Sequence, residues 1–131
     1  MKNNEIIYNA VTTTFTAEQL AKLVSAIYTP EQIAAHVDRA IVVEGVDTYA
    51  ATVATLAADN FHTFAEWKNQ GYSVKKGEHA TITCMLWRFT DKPGRAAREA
   101  AAAADTDAPE NDPHFYPAKS HLFFRSQVEK R

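Results

Sequence analysis

The sequence predicts an α+β fold, with N-terminal helices packed on a small antiparallel β-sheet. Apolar residues recur at helical spacing through the first half of the chain and alternate in the manner of strands through the second half. The chain has 131 residues, of which 46% are hydrophobic and 23% are charged. This length and composition are typical of one globular domain, so residues 1–131 are predicted to form a single domain.

Residues typical of helix N-termini predict where the helices begin. Thr16, Thr29 and Thr63 each have Gln or Glu three residues later, which is the pattern of a capping box. Asp47 offers a further start, ahead of an alanine-rich stretch. The helix that begins after Thr63 is expected to end at Gly71, because glycine adopts the left-handed conformation that closes many helices. The first half therefore holds two or three short helices.

The second half has the signals of a sheet. Residues 72–90 predict a hairpin, with Gly77 at positive φ in a Lys-Gly-Glu turn. A returning strand is predicted at residues 118–124, antiparallel to the longer strand of the hairpin at 80–90. A short helical turn at 126–129 is expected to follow it.

Residues 91–113 interrupt this pattern. They combine an alanine run with many charges, two prolines near the end and no large apolar side chain. Such a segment buries too little surface to offset the entropy of ordering it. We expect an exposed, flexible insertion with some helical character around residues 95–104.

Charge is distributed unevenly along the chain, although the formal net charge is only −2. Residues 1–61 carry −4 and residues 91–113 carry −3, whereas residues 62–90 carry +2 and residues 114–131 carry +3. If the two basic segments share one sheet, they form a local cationic face that can bind polyanions. An ordinary solvated surface with uneven charge is the alternative.

No motif points to catalysis, so the protein is predicted not to be an enzyme. The five histidines are scattered without metal-ligand spacing, and none of the phosphate-binding or nucleophile motifs occurs. Cys84 lies among apolar neighbours, which favours an inert thiol. The polar N-terminus and the lack of a long apolar run predict a cytoplasmic protein with no membrane partner, and the missing motifs predict no cofactor and no metal.

The segment from Phe61 to Thr90 carries a more specific pattern. It consists of Thr63-Phe64, Trp67, Gly71, Val74, Lys76-Gly77-Glu78 and Ile82. This pattern resembles the N-terminal single-stranded-DNA-binding domain of ArdC-type antirestriction proteins, and Phe123-Phe124 followed by Gln127-Val128 resembles that family's returning strand. The resemblance covers residues 61–90 and 118–128. It implies a small DNA-binding module, antirestriction-related and encoded on a mobile element.

Single-stranded nucleic acid is held by cations along its phosphates and by aromatic rings under its bases. The predicted contacts are Lys75, Lys76, Gly77, Tyr72, Trp87, Arg88, Lys119 and Arg125. Trp67 is expected in the core, one helical turn after Phe64. Trp87 and Phe89 fit either a buried central strand or a stacking platform.

Two other functions remain open from the sequence. The acidic helices and the acidic insertion suit a protein-interaction or inhibitor module with a basic partner. Residues 16–44 allow a helix-turn-helix, but the second helix offers only His36 and Arg39 to base edges.

Overall fold

Four helices form the first half of the chain in the computed structural model, which describes residues 1–108 and 110–131. Pro109, inside the predicted insertion, lies outside the described residues. The helices are α1 (Asn3–Thr14), α2 (Ala17–Ser25), α3 (Pro30–Arg39) and α4 (Thr48–Asp59). The alanine-rich α4 is central, because α1, α2 and α3 all pack against it. Its small side chains allow this close approach of three neighbours.

The predicted capping boxes of α2 and α3 are confirmed. The Thr16 hydroxyl accepts from the Gln19 amide at 3.2 Å, and the Gln19 side chain accepts from the Thr16 amide at 2.9 Å. Thr29 and Gln32 make the same pair of bonds at 3.1 and 2.8 Å. Asp47 caps α4 by accepting from a backbone amide. These bonds satisfy donors that a helix start leaves unpaired, so they fix where each helix begins.

The second half forms two small antiparallel sheets, which confirms the α+β class. One sheet has the order β1-β4-β3 and the other has the order β2-β5. The elements are β1 (Phe61–Thr63), α5 (Phe64–Asn69), β2 (Tyr72–Val74), β3 (Ile82–Thr90), α6 (Arg95–Ala103), β4 (His114–Phe124), a 3₁₀ turn (Arg125–Gln127) and β5 (Val128–Lys130).

The hairpin predicted for residues 72–90 is not formed. The Lys-Gly-Glu turn exists, with the Glu78 amide donating to the Lys75 carbonyl at 3.1 Å and Gly77 at φ +86°. However, the strand before the turn pairs with β5, in the register Tyr72↔Lys130 to Val74↔Val128. The strand after the turn, β3, joins the other sheet beside β4.

Bonds from the C-terminal segment account for this difference. The Lys75 amide donates to the Gln127 carbonyl at 2.9 Å, which extends the β2–β5 pairing beyond β2. The Gln127 side chain donates to the His79 carbonyl, at 2.6 Å, so the chain after the turn is held away from β2. The predicted helical turn at 126–129 is a 3₁₀ turn that ends at Gln127 and is followed by β5.

The core lies between α4 and the β1–β4 pair. Phe61 and Phe124 face each other in the antiparallel register and their ring centroids are 4.9 Å apart. Phe15 also stacks on Phe61, with the ring centroids 6.1 Å apart. Trp67 is buried, as predicted, and its indole N–H donates to the Phe123 carbonyl at 2.8 Å. These aromatic contacts anchor the strands that carry the candidate site.

The chain divides into two compact units, Met1–Cys84 with Lys119–Arg131, and Met85–Ala118. The second unit contains α6, none of whose residues is buried, and the first part of β4. β4 begins at His114, four residues before the predicted returning strand. The predicted exposure of the insertion agrees with α6, and its flexibility stays a prediction. None of the helices in the described part of the chain has the length and apolar character that a membrane span requires.

Candidate nucleic-acid interface

Pairing of β2 with β5 gathers cations from two parts of the chain that are distant in sequence. Lys75 and Lys76 follow β2, and Arg125 precedes β5. Lys130 lies opposite Tyr72, and the Arg131 amide donates to the Gly71 carbonyl at 2.9 Å. We call the set Lys75, Lys76, Arg125, Lys130 and Arg131 the cationic surface. The basic segments thus meet on this two-stranded sheet rather than on a hairpin.

Tyr72 positions the guanidinium of Arg125. The guanidinium carbon lies 4.4 Å from the centroid of the Tyr72 ring, and Trp67 meets the same ring edge-on at 5.4 Å. An Arg125 N–H also donates to the Val128 carbonyl at 3.3 Å. Tyr72 was predicted to stack on a base, but Arg125 covers one face of its ring. A base at this position would stack on the guanidinium, which is planar and suits such a contact.

The two lysines at the turn differ in how they are held. The Lys75 ammonium donates to the Ser126 carbonyl at 3.1 Å, so this cation is fixed beside the C-terminal segment. Lys76 is exposed at the tip. A Cβ added at Gly77 would meet nothing within 4 Å, so the turn is open to an approaching ligand. The positive φ still requires glycine here.

A cleft of about 540 Å³ lies beside the cationic surface, and we call it the cationic cleft. Its lining residues are Ala26, Ile27, Tyr28, Asn60, Lys75, Arg125, Ser126 and Val128. The lining includes two cations and no carboxylate. The Asn60 amide donates to the Tyr28 hydroxyl at 3.1 Å and to the Leu56 carbonyl at 2.7 Å, which fixes this polar wall of the cleft.

Lys119 lies apart from this group. Along β4 the side chains alternate, so Ser120 and Leu122 are buried whereas Lys119 and His121 are exposed. His121 Nδ1 lies 3.0 Å from the Thr83 hydroxyl on β3. At a rise of about 3.3 Å per residue, Lys119 is about 20 Å from Arg125 along the strand. The predicted contribution of Lys119 to the same track is therefore not supported.

Trp87 and Arg88 belong to the second unit. Trp87 is 44% exposed and Phe89 is 60% exposed, so both rings lie at the surface rather than in the core. Trp87 and Phe89 share one face of β3 with Met85. The ring of Phe89 meets the ring of Phe115 edge-on, with the centroids 5.4 Å apart. We call Trp87 and Phe89 the aromatic row. Arg88 is exposed on the opposite face of the strand, because neighbouring side chains alternate.

Sequence reasoning missed the polar wall of the cleft. Tyr28 lies between α2 and α3, Asn60 follows α4, and Ser126 lies in the 3₁₀ turn. The three residues are separated widely along the chain and share no motif. The pairing of β2 with β5 also gives Lys130 and Arg131 a position at the site, which the sequence indicated only through their charge.

Two groups in the first unit have shifted pKa values. The hydrogen bond with His62, whose Nδ1 lies 2.8 Å from the carboxylate, lowers the pKa of Glu66 despite partial burial. Glu66 therefore does not complete the capping box predicted at Thr63, where only the Thr63 hydroxyl bond to the Glu66 amide is formed, at 3.2 Å. Burial raises the pKa of the Cys84 thiol, which disfavours the reactive thiolate.

Comparisons of the chain with protein-family models, with curated proteins and with solved structures found no match. The resemblance to the ArdC-type domain therefore stays a prediction, and function is argued from the cationic surface, the cleft and the aromatic row.

Proposed function

We propose that the protein is a non-enzymatic module that binds single-stranded DNA. The observation that carries the proposal is the β2–β5 pairing, which brings together the cationic surface: Lys130 lies within this small sheet and the other four cations lie close to its strands in the chain. A dense group of lysine and arginine side chains attracts phosphates and releases their counterions. The sequence pattern at residues 61–90 favours an antirestriction role for a cytoplasmic protein encoded on a mobile element.

The charges of this surface are available to an external anion. Among the described residues, no carboxylate lies within ion-pair distance of Lys75 or Arg125. Both cations are instead held by neutral groups, namely a backbone carbonyl and an aromatic ring. Their positive charge is therefore not neutralised within the protein, as a phosphate-binding surface requires.

The aromatic row supports a single strand rather than a duplex. Exposed rings such as Trp87 and Phe89 can stack on unpaired bases, and each such contact contributes on the order of 1–3 kcal/mol. Bases of a duplex are stacked on each other and leave no face for such a ring. We expect Trp87→Ala with Phe89→Ala to weaken oligonucleotide binding.

Fluorescence anisotropy with an oligonucleotide labelled at its 3′ end tests the proposal. The double variant Lys75→Glu with Lys76→Glu should abolish binding at moderate salt. A matched control, Lys2→Glu with Lys22→Glu, makes the same charge change on the N-terminal helical region and should bind within about twofold of the parent. The logarithm of the affinity should fall linearly with the logarithm of salt concentration.

Lys75→Ala with Lys76→Ala gives a finer test. For a single strand, each lost phosphate contact reduces the magnitude of the slope of log affinity against log salt concentration by about 0.7. The two losses together predict a slope shallower by about 1.4. Absence of binding by the parent protein at low salt would contradict the proposal. So would an equal loss of affinity in the control, because net charge alone would then explain the effect.

A second candidate function is a protein-interaction or inhibitor module with a basic partner. The loop between α3 and α4 exposes Ile41 by 89% and Val42 by 78%, beside the acidic side chains of Glu44 and Asp47. An exposed apolar group of this kind favours a protein contact. A partner captured from nuclease-treated lysate by the parent, but not by Ile41→Asp with Val42→Asp, would support this function.

A further inference from the structure

The cationic cleft differs in charge from the other cavities described in the first unit. Three other cavities lie among the N-terminal helices, and each includes a carboxylate and no lysine or arginine in its lining. The cationic cleft includes Lys75 and Arg125 and no carboxylate. This contrast makes it a specific place for an anion rather than a general feature of the surface.

We infer that the cationic cleft is a phosphomonoester site, which binds the phosphate at the 5′ end of a DNA strand or on a nucleotide. The inference rests on the proposed function, because it assigns the end of the bound strand to this cleft. Three side chains from separate parts of the fold would hold the phosphate: Lys75, Arg125 and Tyr28.

The two cations are held in place and keep donors for a ligand. Lys75 uses one ammonium proton on the Ser126 carbonyl, and an ammonium group has three. Arg125 uses one N–H on the Val128 carbonyl, and a guanidinium has five. The Tyr72 ring under the guanidinium limits its motion. Binding therefore costs less side-chain entropy than it would with mobile cations.

Tyr28 lines the same cleft and supplies a third donor. Its hydroxyl oxygen accepts from the Asn60 amide, so its own proton is directed elsewhere and is available for a ligand oxygen. The ring packs edge-on against His36 at 5.8 Å between centroids, which fixes its orientation. Asn60 is in turn fixed by its bond to the Leu56 carbonyl.

Charge and size favour a monoester over an internal phosphodiester. A phosphomonoester carries about −1.5 to −2 at neutral pH and has three terminal oxygens, whereas a diester carries −1 and has two. The two cations and the Tyr28 hydroxyl match the higher charge and the three terminal oxygens of the monoester. A volume of about 540 Å³ also exceeds the need of a phosphate alone, and Ile27 and Val128 provide apolar surface for the attached nucleoside.

Paired oligonucleotides test the inference. Two strands of one sequence, both labelled at the 3′ end, carry either a 5′-phosphate or a 5′-hydroxyl group. We expect the parent protein to bind the phosphorylated strand at least tenfold more tightly. Tyr28→Phe should reduce this preference to about threefold or less and leave the affinity for the hydroxyl strand within twofold. Tyr49→Phe, which changes an exposed tyrosine on α4, is the matched control and should keep the full preference.

Separate titrations with inorganic phosphate and with a nucleoside 5′-monophosphate, followed by amide chemical shifts, distinguish the two ligand sources. Shifts centred on Tyr28, Lys75 and Arg125 with either probe support the inference, and a larger response to the nucleotide indicates that the apolar wall contributes. If both strands bind equally and neither probe shifts these residues, the inference is wrong while the proposed function stands. If neither strand binds but the nucleotide shifts these residues, the proposed function is wrong and the cleft is a nucleotide site.

Discussion

Trp67 links the two sheets through contacts made by one side chain. Its indole N–H donates to the Phe123 carbonyl on β4, and its ring meets Tyr72 on β2. The His62 ring packs edge-on against it at 4.7 Å between centroids. Because Tyr72 supports Arg125, the burial of Trp67 also contributes to the geometry of the cationic surface.

Trp67→Phe is expected to lower the free energy of unfolding by about 1–3 kcal/mol, because the Phe123 carbonyl loses its buried donor. Urea denaturation measures the change. Tyr49→Phe, which removes a polar group from an exposed ring, is the control and should cost less than about 0.5 kcal/mol. Equal losses for the two variants would show that the indole hydrogen bond contributes nothing specific.

Glu66 gives the protein a small pH dependence of stability. Its folded-state pKa is lowered, so its stabilising effect is present above the ordinary range of a glutamate carboxyl and is lost as pH falls through the folded-state value. The side chain is 59% exposed, so the effect is well under about 1 kcal/mol. At pH 7 the denaturation midpoint of Glu66→Gln should be lower than that of the parent. Below the pKa of the Glu66 carboxyl, the two midpoints should be equal. A constant difference at all pH values would contradict this assignment.

At the scale of elements, the Gln127 side chain connects the 3₁₀ turn to the chain segment after β2. Gln127 is the last residue of the 3₁₀ turn, and its side chain also bonds to the residue just before that turn. Its side-chain oxygen accepts from the Phe124 amide at 2.9 Å and from the Thr81 hydroxyl at 2.6 Å. Its side-chain nitrogen donates to Glu78 at 3.1 Å and to the His79 carbonyl at 2.6 Å. One amide therefore satisfies four groups, one at the end of β4 and three in the connection between β2 and β3.

Gln127→Ala should destabilise the protein by about 1–2 kcal/mol, because the part-buried Phe124 amide loses its acceptor and three exposed groups lose a partner at the same time. Thermal or urea unfolding measures the loss. Gln70→Ala, at an exposed position after α5, is the control and should change stability by less than about 0.5 kcal/mol. A loss from Gln127→Ala no larger than that of the control would mean that the network is not formed in solution.

Gly77→Ala tests the turn itself. The backbone has φ +86° there, and a side chain in this region costs about 1–2 kcal/mol even where space is open. Gly94→Ala is a suitable control, since φ is −75° and the added Cβ meets only the His114 ring at ordinary contact distance. Unfolding free energies should separate the two variants by about 1 kcal/mol or more.

At the scale of the whole molecule, we expect the local stability of α4 to be higher than that of α6. α4 has six buried residues, whereas α6 has none. Backbone amides exchange with solvent through local opening where few apolar contacts resist it. Native-state hydrogen exchange should therefore show the slowest amides in α4 and near-unprotected amides in α6. Protection of α6 comparable with that of α4 would contradict this difference.

Local signals allowed a large part of the fold to be predicted. Thr16, Thr29 and Asp47 begin helices where the sequence indicated, and Gly71 and Gly77 adopt positive φ. These features depend on residues within one turn of each other, so they are visible in the sequence. α1 was not predicted because it has no Ser, Thr, Asp or Asn cap and contains several β-branched residues.

The predicted pairing of the strand at 80–90 with the returning strand is confirmed, since β3 and β4 are neighbours in one sheet, but the pairing of the short strands could not be predicted. β1, β2 and β5 have only three residues each, too few to show an alternating pattern. Their partners are selected by tertiary contacts such as the Trp67 indole bond to Phe123 and the Gln127 network. Lys75 and Arg125 were named as candidates because of their charge, whereas Tyr28 and Asn60, which line the same cleft, give no such signal in the sequence.

The bond between Lys75 and the Ser126 carbonyl joins residues that are 51 positions apart. Closing so long a loop costs conformational entropy, and most of the cleft's polar lining is assembled only when that closure occurs. Occupancy of the cleft is therefore coupled to folding of the first unit. By mass action, a ligand present at 100 times its dissociation constant would raise the unfolding free energy by about 2.7 kcal/mol, so a thermal-shift measurement on the intact chain detects such binding.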